Sequence, residues 1–330
     1  MLNIVTGGAG FIGRALVEEL LLQEQPVLVV DALTYASKRE NLPPDSDLFS
    51  FLKMDICESG ALNDALHTHM KLSSEKEAKV FHLAAESHVD RSIESGQPFM
   101  RSNVLGTQSL LEGLAGLSLF KFLHVSTDEV YGSVSQGESL ETSKLNPSSP
   151  YAASKAASDL VVQSFAHTHG LNFNITRCAN NYGEDQLPEK LIPRLVHKAI
   201  QGEPLPVYGD GSQIREWLHV SDHVSAILKV MEDGAPSEIY NIGSQVRIKN
   251  IEIAELILKA TGSDSKIQFV EDRKGHDFRY ALNSQKIGKE LGWKPNPENS
   301  LLSTIDKMAS RIKTKGLDPR FKSLEELHDR

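Results

Sequence analysis

Short apolar runs and amphipathic stretches alternate along the first half of the chain. Residues 2–6, 27–31, 49–54, 79–82, 120–126 and 172–177 are rich in β-branched and aromatic side chains, and each is short enough to predict a strand. Between them, residues 11–22 carry apolar positions at helical spacing, and residues 61–69 and 102–114 do so less cleanly. Strands alternating with helices predict an α/β chain built on a doubly wound parallel sheet. Beyond residue 178 the texture changes, because Pro188, Pro193, Pro204 and Pro206 interrupt short elements and strand signals become sparse. The pattern predicts a larger unit over residues 1–177 and a smaller C-terminal α/β unit over residues 178–330, with segments interleaved between the two.

Composition narrows the class. The 330 residues suffice for one large unit with a smaller partner and for a sizeable buried core. Apolar residues make up 40% and charged residues 24%, and no apolar run approaches the roughly 20 residues that span a bilayer, so neither a membrane nor a disordered chain is expected. The opening Leu2-Asn3-Ile4-Val5-Thr6 has neither the basic start nor the small-residue cleavage site of a secretory signal, which predicts a cytoplasmic location. Cys57 and Cys178 are the two cysteines and lack CxxC spacing, so small core thiols in a reducing compartment are expected. A formal charge of −9 argues against a nucleic-acid partner, and the Lys/Arg-rich residues 313–320 predict a solvent-facing helix and tail.

The first strand runs into Thr6-Gly7-Gly8-Ala9-Gly10-Phe11-Ile12-Gly13, which opens the first helix. Gly7, Gly10 and Gly13 permit a tight turn whose backbone N–H groups approach a pyrophosphate at the helix N-terminus. Glycines also serve ordinary turns, but strand, turn and helix occur here in the order that a Rossmann-type dinucleotide site requires. Asp31 ends the second strand, near where a carboxylate hydrogen-bonds the adenosine ribose; it would repel a 2′-phosphate, so the expected cofactor is NAD rather than NADP. A P-loop is excluded, since no Gly-Lys-Ser/Thr follows the glycines. Leu83, Ala84, Ala85 and Ser87, after the fourth strand, are small enough to wall the crevice beside the nicotinamide ribose. His82 and His88, six residues apart, have no recognised ligand spacing, and no metal is expected.

Tyr151 and Lys155 lie four apart at the start of a helix predicted to begin after Pro150, on one face. An adjacent ammonium and a positive nicotinamide ring both favour the phenolate of a group whose ordinary pKa is about 10. By itself Tyr-x-x-x-Lys describes a surface helix pair as readily as a catalytic one. Asp128 and Glu129, by themselves, read as a solvated turn or cap. They follow a strand that ends in Ser126-Thr127, where open α/β sheets bind ligands. Together the four residues read as an acid–base constellation.

The runs Ser126-Thr127-Asp128-Glu129-Val130-Tyr131-Gly132 and Tyr151-Ala152-Ala153-Ser154-Lys155 resemble the dTDP-glucose 4,6-dehydratases, members of the extended short-chain dehydrogenase/reductase superfamily. Asp31-Ala32-Leu33-Thr34-Tyr35, His82-Leu83-Ala84-Ala85-Glu86-Ser87-His88, Arg177-Cys178-Ala179-Asn180-Asn181-Tyr182-Gly183 and Pro188-Glu189-Lys190-Leu191 resemble that family too. The resemblance implies oxidation of a nucleotide sugar at carbon 4, loss of water across carbons 5 and 6, and return of hydride to carbon 6. It implies Tyr151 with Lys155 for the first step, Glu129 as base at carbon 5, Asp128 as acid for the 6-hydroxyl, and Thr127 on the 4-hydroxyl.

For NAD the resemblance implies the glycines with Phe11 and Ile12, then Asp31, Leu33, Thr34, Asp55, Ile56, Leu83, Ala84, Ala85, Ser87, Ser102, Tyr151, Lys155 and Asn181. For a nucleotide-diphosphate sugar it implies Ser87, Thr127, Asn180, Lys190, Leu191, Pro206, Tyr208, Arg215, Asn241, Asp272 and His276, with Arg273 a further cationic donor in the substrate domain. It also implies a homodimer joined through residues 102–116 and 151–170. Two departures adjoin the expected substrate pocket: Glu184-Asp185-Gln186-Leu187 replaces a proline and an aromatic after Asn-Tyr-Gly, and Lys274 stands where proline is usual. UDP-glucose, UDP-N-acetylglucosamine, an epimerase or decarboxylase activity, and a non-catalytic NAD-sensing role stay open at this point.

Overall fold

A computed structural model of the chain describes residues 1–73, 75–316 and 321; residues 317–320 of the basic C-terminal stretch lie outside the described residues. β1 (Leu2–Thr6) leads through α1 (Phe11–Leu22) to β2 (Val27–Asp31), β3 (Phe49–Lys53), α2 (Ser59–Leu72) and β4 (Ala78–His82). After α3 (Val89–Glu94) and the single turn α4 (Gln97–Phe99), a π-helical turn (Met100–Leu105) runs into α5 (Gly106–Gly113). β5 (Leu119–Thr127) ends in a 3-10 turn (Asp128–Tyr131), followed by α6 (Pro150–His169) and β6 (Phe173–Cys178).

Two of these elements show how the sequence sets them. Ser149 caps α6 by accepting the Ala152 N–H at 3.1 Å, and Pro150 occupies the first turn, where its missing N–H costs nothing. The helix expected over 102–114 is instead divided. The Asn103 side chain is drawn out to the Glu86 backbone and Ser154 Oγ, while Thr107 Oγ1 donates to Asn103 O at 2.7 Å. These bonds favour a widened turn, which carries Ser102 and Leu105 to the cleft described below.

With β10 (Glu238–Ile242) at one edge, the strand order is β10-β6-β5-β4-β1-β2-β3, all parallel. The sheet is buried on both faces because neighbouring positions both carry apolar side chains. Val5 and Val29 pack against Leu16, Val17 and Leu20 on one side, whereas Ile4, Leu28, Val80 and Phe122 pack against Leu62, Leu66, Leu110 and Val162 on the other. Each such buried side chain contributes about 1.5–3 kcal/mol of transfer free energy.

Sparse strand signals after residue 178 concealed six further strands among the described residues: β7 (Asn180–Tyr182), β8 (Leu205–Tyr208), β9 (Ile214–His219), β10 (Glu238–Ile242), β11 (Arg247–Lys249) and β12 (Ile267–Val270). They are three to six residues long, too short to display periodicity. β10 returns to the edge of the large sheet beside β6, whereas the others form a β11-β9-β7 sheet and a β12-β8 pair. α7 (Leu191–Gln201), α8 (Val220–Asp233), α9 (Asn250–Thr261), α10 (Gln285–Leu291) and α11 (Leu301–Lys315) complete the described chain. Ile192, Leu195, Ile253, Ile257, Ile305 and Met308 make a separate core from α7, α9 and α11, so α11 is solvent-facing on one side only. Among the described residues no helix is long and apolar enough to cross a membrane.

β1 has β2 on one side and β4 on the other, so the chain leaves the sheet in opposite directions at this point. The resulting crevice at the carboxyl ends of the strands is where open α/β sheets take ligands.

Candidate active site

The crevice opens into a cleft of about 800 Å³ that meets a second compartment of about 290 Å³; both are lined by Ser87, Glu129, Asn180, Asn181 and Lys190. Gly7, Gly10, Phe11, Ile12 and Gly13 line the floor of the first. Gly7 has φ of +71°, and a Cβ there would stand 2.7 Å from the backbone nitrogen of Ala84; at Gly13 it would stand 2.2 Å from Gly7 O. The glycines therefore let β1 close on the exit of β4 and let α1 close on the turn, leaving the first N–H groups of α1 facing the cleft.

Asp31 Oδ2 accepts the Ala9 N–H at 3.0 Å, and Oδ1 accepts from Leu33 N–H and Ser37 Oγ. The carboxylate thus ties the glycine turn to the loop after β2 while also lining the cleft. Thr34, Asp55, Ile56, Leu83, Ala84, Ala85, Ser102 and Asn181 line it as the resemblance implies, but Leu33 does not. Its N–H is used by Asp31 and its side chain packs toward the core.

Thr127, Asp128, Glu129, Tyr151 and Lys155 are all brought to this same cleft. Thr127 Oγ1 caps the 3-10 turn from the Glu129 N–H at 3.3 Å and lies 3.3 Å from Asp128 Oδ1. Burial pushes the Asp128 carboxyl well above its ordinary range, and Glu129 and Glu216 add to the shift. Burial raises Glu129 as well, but Arg215, Arg273 and Lys190 all pull it back. The two neighbouring acids therefore face different electrostatics.

For Tyr151, burial outweighs the expected influence of the Lys155 ammonium. The phenol is held well above its ordinary value, first by burial, then by Glu129 and Cys178. Lys155 Nζ is turned toward β5, donating to Val125 O at 2.8 Å and lying 3.5 Å from His124 Nε2. Burial draws its own pKa down to about 8, against an opposing pull from Asp159.

Lys190, Leu191, Pro206, Tyr208, Arg215 and His276 line the smaller compartment. Arg215 donates to Ile214 O and Asp277 O and lies over the Tyr280 ring at 4.4 Å, which fixes its guanidinium. Arg273 pairs with Asp90, with Nη2 at 3.0 Å from Oδ2. Asn180 Oδ1 is buried with no hydrogen-bond partner among the described residues and belongs to both compartments.

Two expected substrate contacts are not on the walls. Asn241 is fully buried in β10, accepting from Tyr131 Oη at 2.8 Å and donating to Ser139 O and Asn283 O, so its amide is already committed. Asp272 stands behind His276, accepting at 2.7 Å from Nδ1, and acts on the pocket through that ring. Sequence reasoning missed Arg194, Asn250 and Tyr280, which line the compartment. Arg194 falls one helical turn after Lys190, a spacing that could have found it; Asn250 and Tyr280 carry no local signal.

The departure at 184–187 is divided between two faces. Gln186 and Leu187 line the cleft, whereas Asp185 pairs with Arg14 of α1 and with Arg311 of α11 at 2.6 Å, away from it. Lys274 is exposed, and Gly275 beside it takes the place on the wall. His82 spans Thr6 and Thr107 hydroxyls, and His88 caps α3.

A family model described as GDP-mannose 4,6 dehydratase matches residues 4–308. A dTDP-glucose 4,6-dehydratase from an Actinoplanes species is 46% identical over 302 residues, covering 88% of this chain and 92% of the relative. The crystal structure of the dTDP-glucose 4,6-dehydratase DesIV from Streptomyces venezuelae, with NAD bound, superposes with a TM-score of 0.88 at 43% identity, covering 95% of this chain and 97% of that one. The UDP-glucose 4-epimerase of Thermotoga maritima, crystallised with UDP-glucose, superposes with a TM-score of 0.86 at 28% identity, over 96% of this chain and 99% of that one.

Proposed function

Because the chain belongs to the GDP-mannose 4,6 dehydratase family, within the extended short-chain dehydrogenases/reductases, we propose that it is an NAD-dependent dTDP-glucose 4,6-dehydratase. It converts dTDP-glucose to dTDP-4-keto-6-deoxyglucose and water, a hydro-lyase reaction with no net redox change. The observation that carries this reading is the Thr127-Asp128-Glu129 turn opening onto the same cleft as Tyr151 and Lys155.

The glycine cradle suits a dinucleotide, since any Cβ at Gly7 or Gly13 would collide with backbone and close it. Gly7, Gly10, Phe11, Ile12 and Gly13 would hold the pyrophosphate, and Asp31 would meet the adenosine ribose. Bound there, NAD supplies the hydride acceptor and donor and a positive charge beside the Tyr151 phenol. Tyr151 takes the proton of the sugar's 4-hydroxyl, which Thr127 orients. The ketone at carbon 4 acidifies the carbon-5 proton, and Glu129 removes it. Asp128 gives its proton to the departing 6-hydroxyl, which leaves as water, and the product forms as carbon 6 takes back the hydride and carbon 5 regains a proton. The cations around Glu129 favour its ionised form and the apolar setting of Asp128 favours its protonated form, the division of labour that elimination requires. Lys190, Arg215, Arg273 and His276 face the diphosphate and nucleotide, with Asn180 Oδ1 as a free acceptor.

We assign the cofactor to the unit over 1–177 and the nucleotide sugar mainly to 178–330, β10 being the exchanged segment. Incubation with dTDP-glucose, UDP-glucose and GDP-mannose tests the reading. A 4-keto-6-deoxy product from dTDP-glucose is expected, and a product inverted at carbon 4 or no product from any of the three would overturn it.

We further propose that the enzyme is a cytoplasmic homodimer paired through 102–116 and 151–170. Leu105 and Leu160, on these segments, remain 61% and 57% exposed, and both cysteines are free thiols. Leu160→Asp is expected to halve the mass measured by sedimentation; an unchanged mass would remove α6 from the interface.

A further inference from the structure

Glu189 is a buried carboxylate that the mechanism does not use. Its side chain is 1% exposed, and among the described residues Oε2 has no hydrogen-bond partner; Arg91 Nη2 lies at 3.6 Å and the His88 ring at 3.8 Å. Oε1 accepts from Tyr35 Oη at 3.3 Å. The Tyr35 ring in turn lies under the Arg91 guanidinium, 3.7 Å from its centroid. Tyr35 belongs to none of the three cores and is 38% exposed, so ordinary core packing does not account for its position.

These residues come from three separate segments whose neighbours line the dinucleotide cleft. Thr34 and Ala36 flank Tyr35, Glu86 and Ser87 precede Arg91, and Leu187 and Lys190 flank Glu189. The contact therefore joins the loop after β2, α3 and the residues leading into α7 beside the cleft. Lys190 Nζ adds a bond to Ser87 O at 3.2 Å on the same side. The reaction returns the dinucleotide to its starting state in every turnover, and loss of the cofactor midway would strand the sugar as a ketone. A site for this chemistry benefits from a closure that does not open with each substrate.

We propose that Tyr35, Arg91 and Glu189 form a clasp that holds the cleft closed around NAD, and so act as positioning residues for cofactor retention. The proposal rests on the NAD-dependent reading above. It is tested on the full chain with Tyr35→Ala, Tyr35→Phe and Glu189→Gln. Three quantities are measured: the molar NAD content of the purified protein, the rate of NAD release into an excess of an NAD-hydrolysing enzyme, and the thermal midpoint after NAD removal. Tyr35→Ala is expected to speed release about tenfold or more, the equivalent of about 1.4 kcal/mol. Tyr35→Phe keeps the ring over Arg91 and falls between, and the thermal midpoint of the stripped protein is unchanged by either. A parallel drop in that midpoint would mark the contact as structural and overturn the clasp. So would Tyr35→Ala protein that retains and releases NAD as the parent does. Should Glu189→Gln not fold, the two Tyr35 variants carry the test. A parent protein that neither retains nor binds added NAD would overturn the NAD-dependent reading itself, which separates the two failures.

Discussion

Glu129→Gln is expected to lower formation of the 4-keto-6-deoxy product about 100- to 10,000-fold, the range for losing a positioned general base. The amide keeps the size of the carboxylate and its place at the end of β5, so the loss reads the proton transfer rather than the fold. Exchange of the carbon-5 hydrogen with deuterated solvent falls by the same factor. The near-ultraviolet absorbance of reduced dinucleotide still appears in a single turnover, because oxidation at carbon 4 belongs to Tyr151. Asp128→Asn is expected to separate the pair from the other side: carbon-5 exchange survives and departure of the 6-hydroxyl slows. Product formation at the parent rate in either variant would remove that residue from its assigned step.

The pH profile carries the same assignment. Glu129 acts ionised, so activity rises as pH climbs through its raised pKa, which lies above the ordinary carboxylate range. Asp128 acts protonated, and activity falls as pH climbs through its still more strongly raised value. Lys155, drawn down to about 8, adds a loss on the alkaline side as its ammonium is neutralised. Glu129→Gln therefore removes the carboxylate's contribution to the ascending limb, whereas Asp128→Asn removes the descending contribution of its carboxyl and leaves that of Lys155.

The parts of this site legible in the sequence are those made by neighbours in the chain. Tyr151 and Lys155 share a helix face because they lie four apart, and Ser149-Pro150 announces where that helix begins. The glycine turn is likewise one continuous run. β1 and β2 could be read because both of their faces are buried, which makes each an unbroken apolar segment. β7 and β11, at three residues each, offer no such run. Asn241 looked like a substrate contact because a motif says only that a residue is present. Whether its amide is free depends on Tyr131, Ser139 and Asn283, none of them adjacent in sequence. The raised Tyr151 phenol was illegible for the same reason, since desolvation sums over everything packed around the ring.

The residues directly behind the catalytic wall predict the largest effect on stability. Asp159, one turn after Lys155 on α6, is fully buried, and its Oδ2 accepts from Arg177 Nε of β6 at 2.9 Å. Arg177 also donates from Nη1 to Tyr131 Oη at 2.9 Å and lies over that ring, and Tyr131 Oη donates to Asn241 of β10. This chain of contacts fastens the 3-10 turn bearing Asp128 and Glu129 to two strands of the large sheet. Asp159→Ala removes the carboxylate and leaves the Arg177 guanidinium, itself only 2% exposed, without its charged partner in a dry interior. The expected cost is about 3–5 kcal/mol in the free energy of unfolding measured in urea, because the guanidinium stays buried and charged with no carboxylate to offset its desolvation. Asp159→Asn keeps an acceptor for Arg177 Nε and is expected to cost about 1–3 kcal/mol. The double replacement of Asp159 by Ala and Arg177 by Met removes both charges and should recover part of the loss, leaving it smaller than in Asp159→Ala alone. Equal destabilisation by the single and double variants would instead show that the packing of α6 on β6, rather than the buried ion pair, holds the catalytic turn in place.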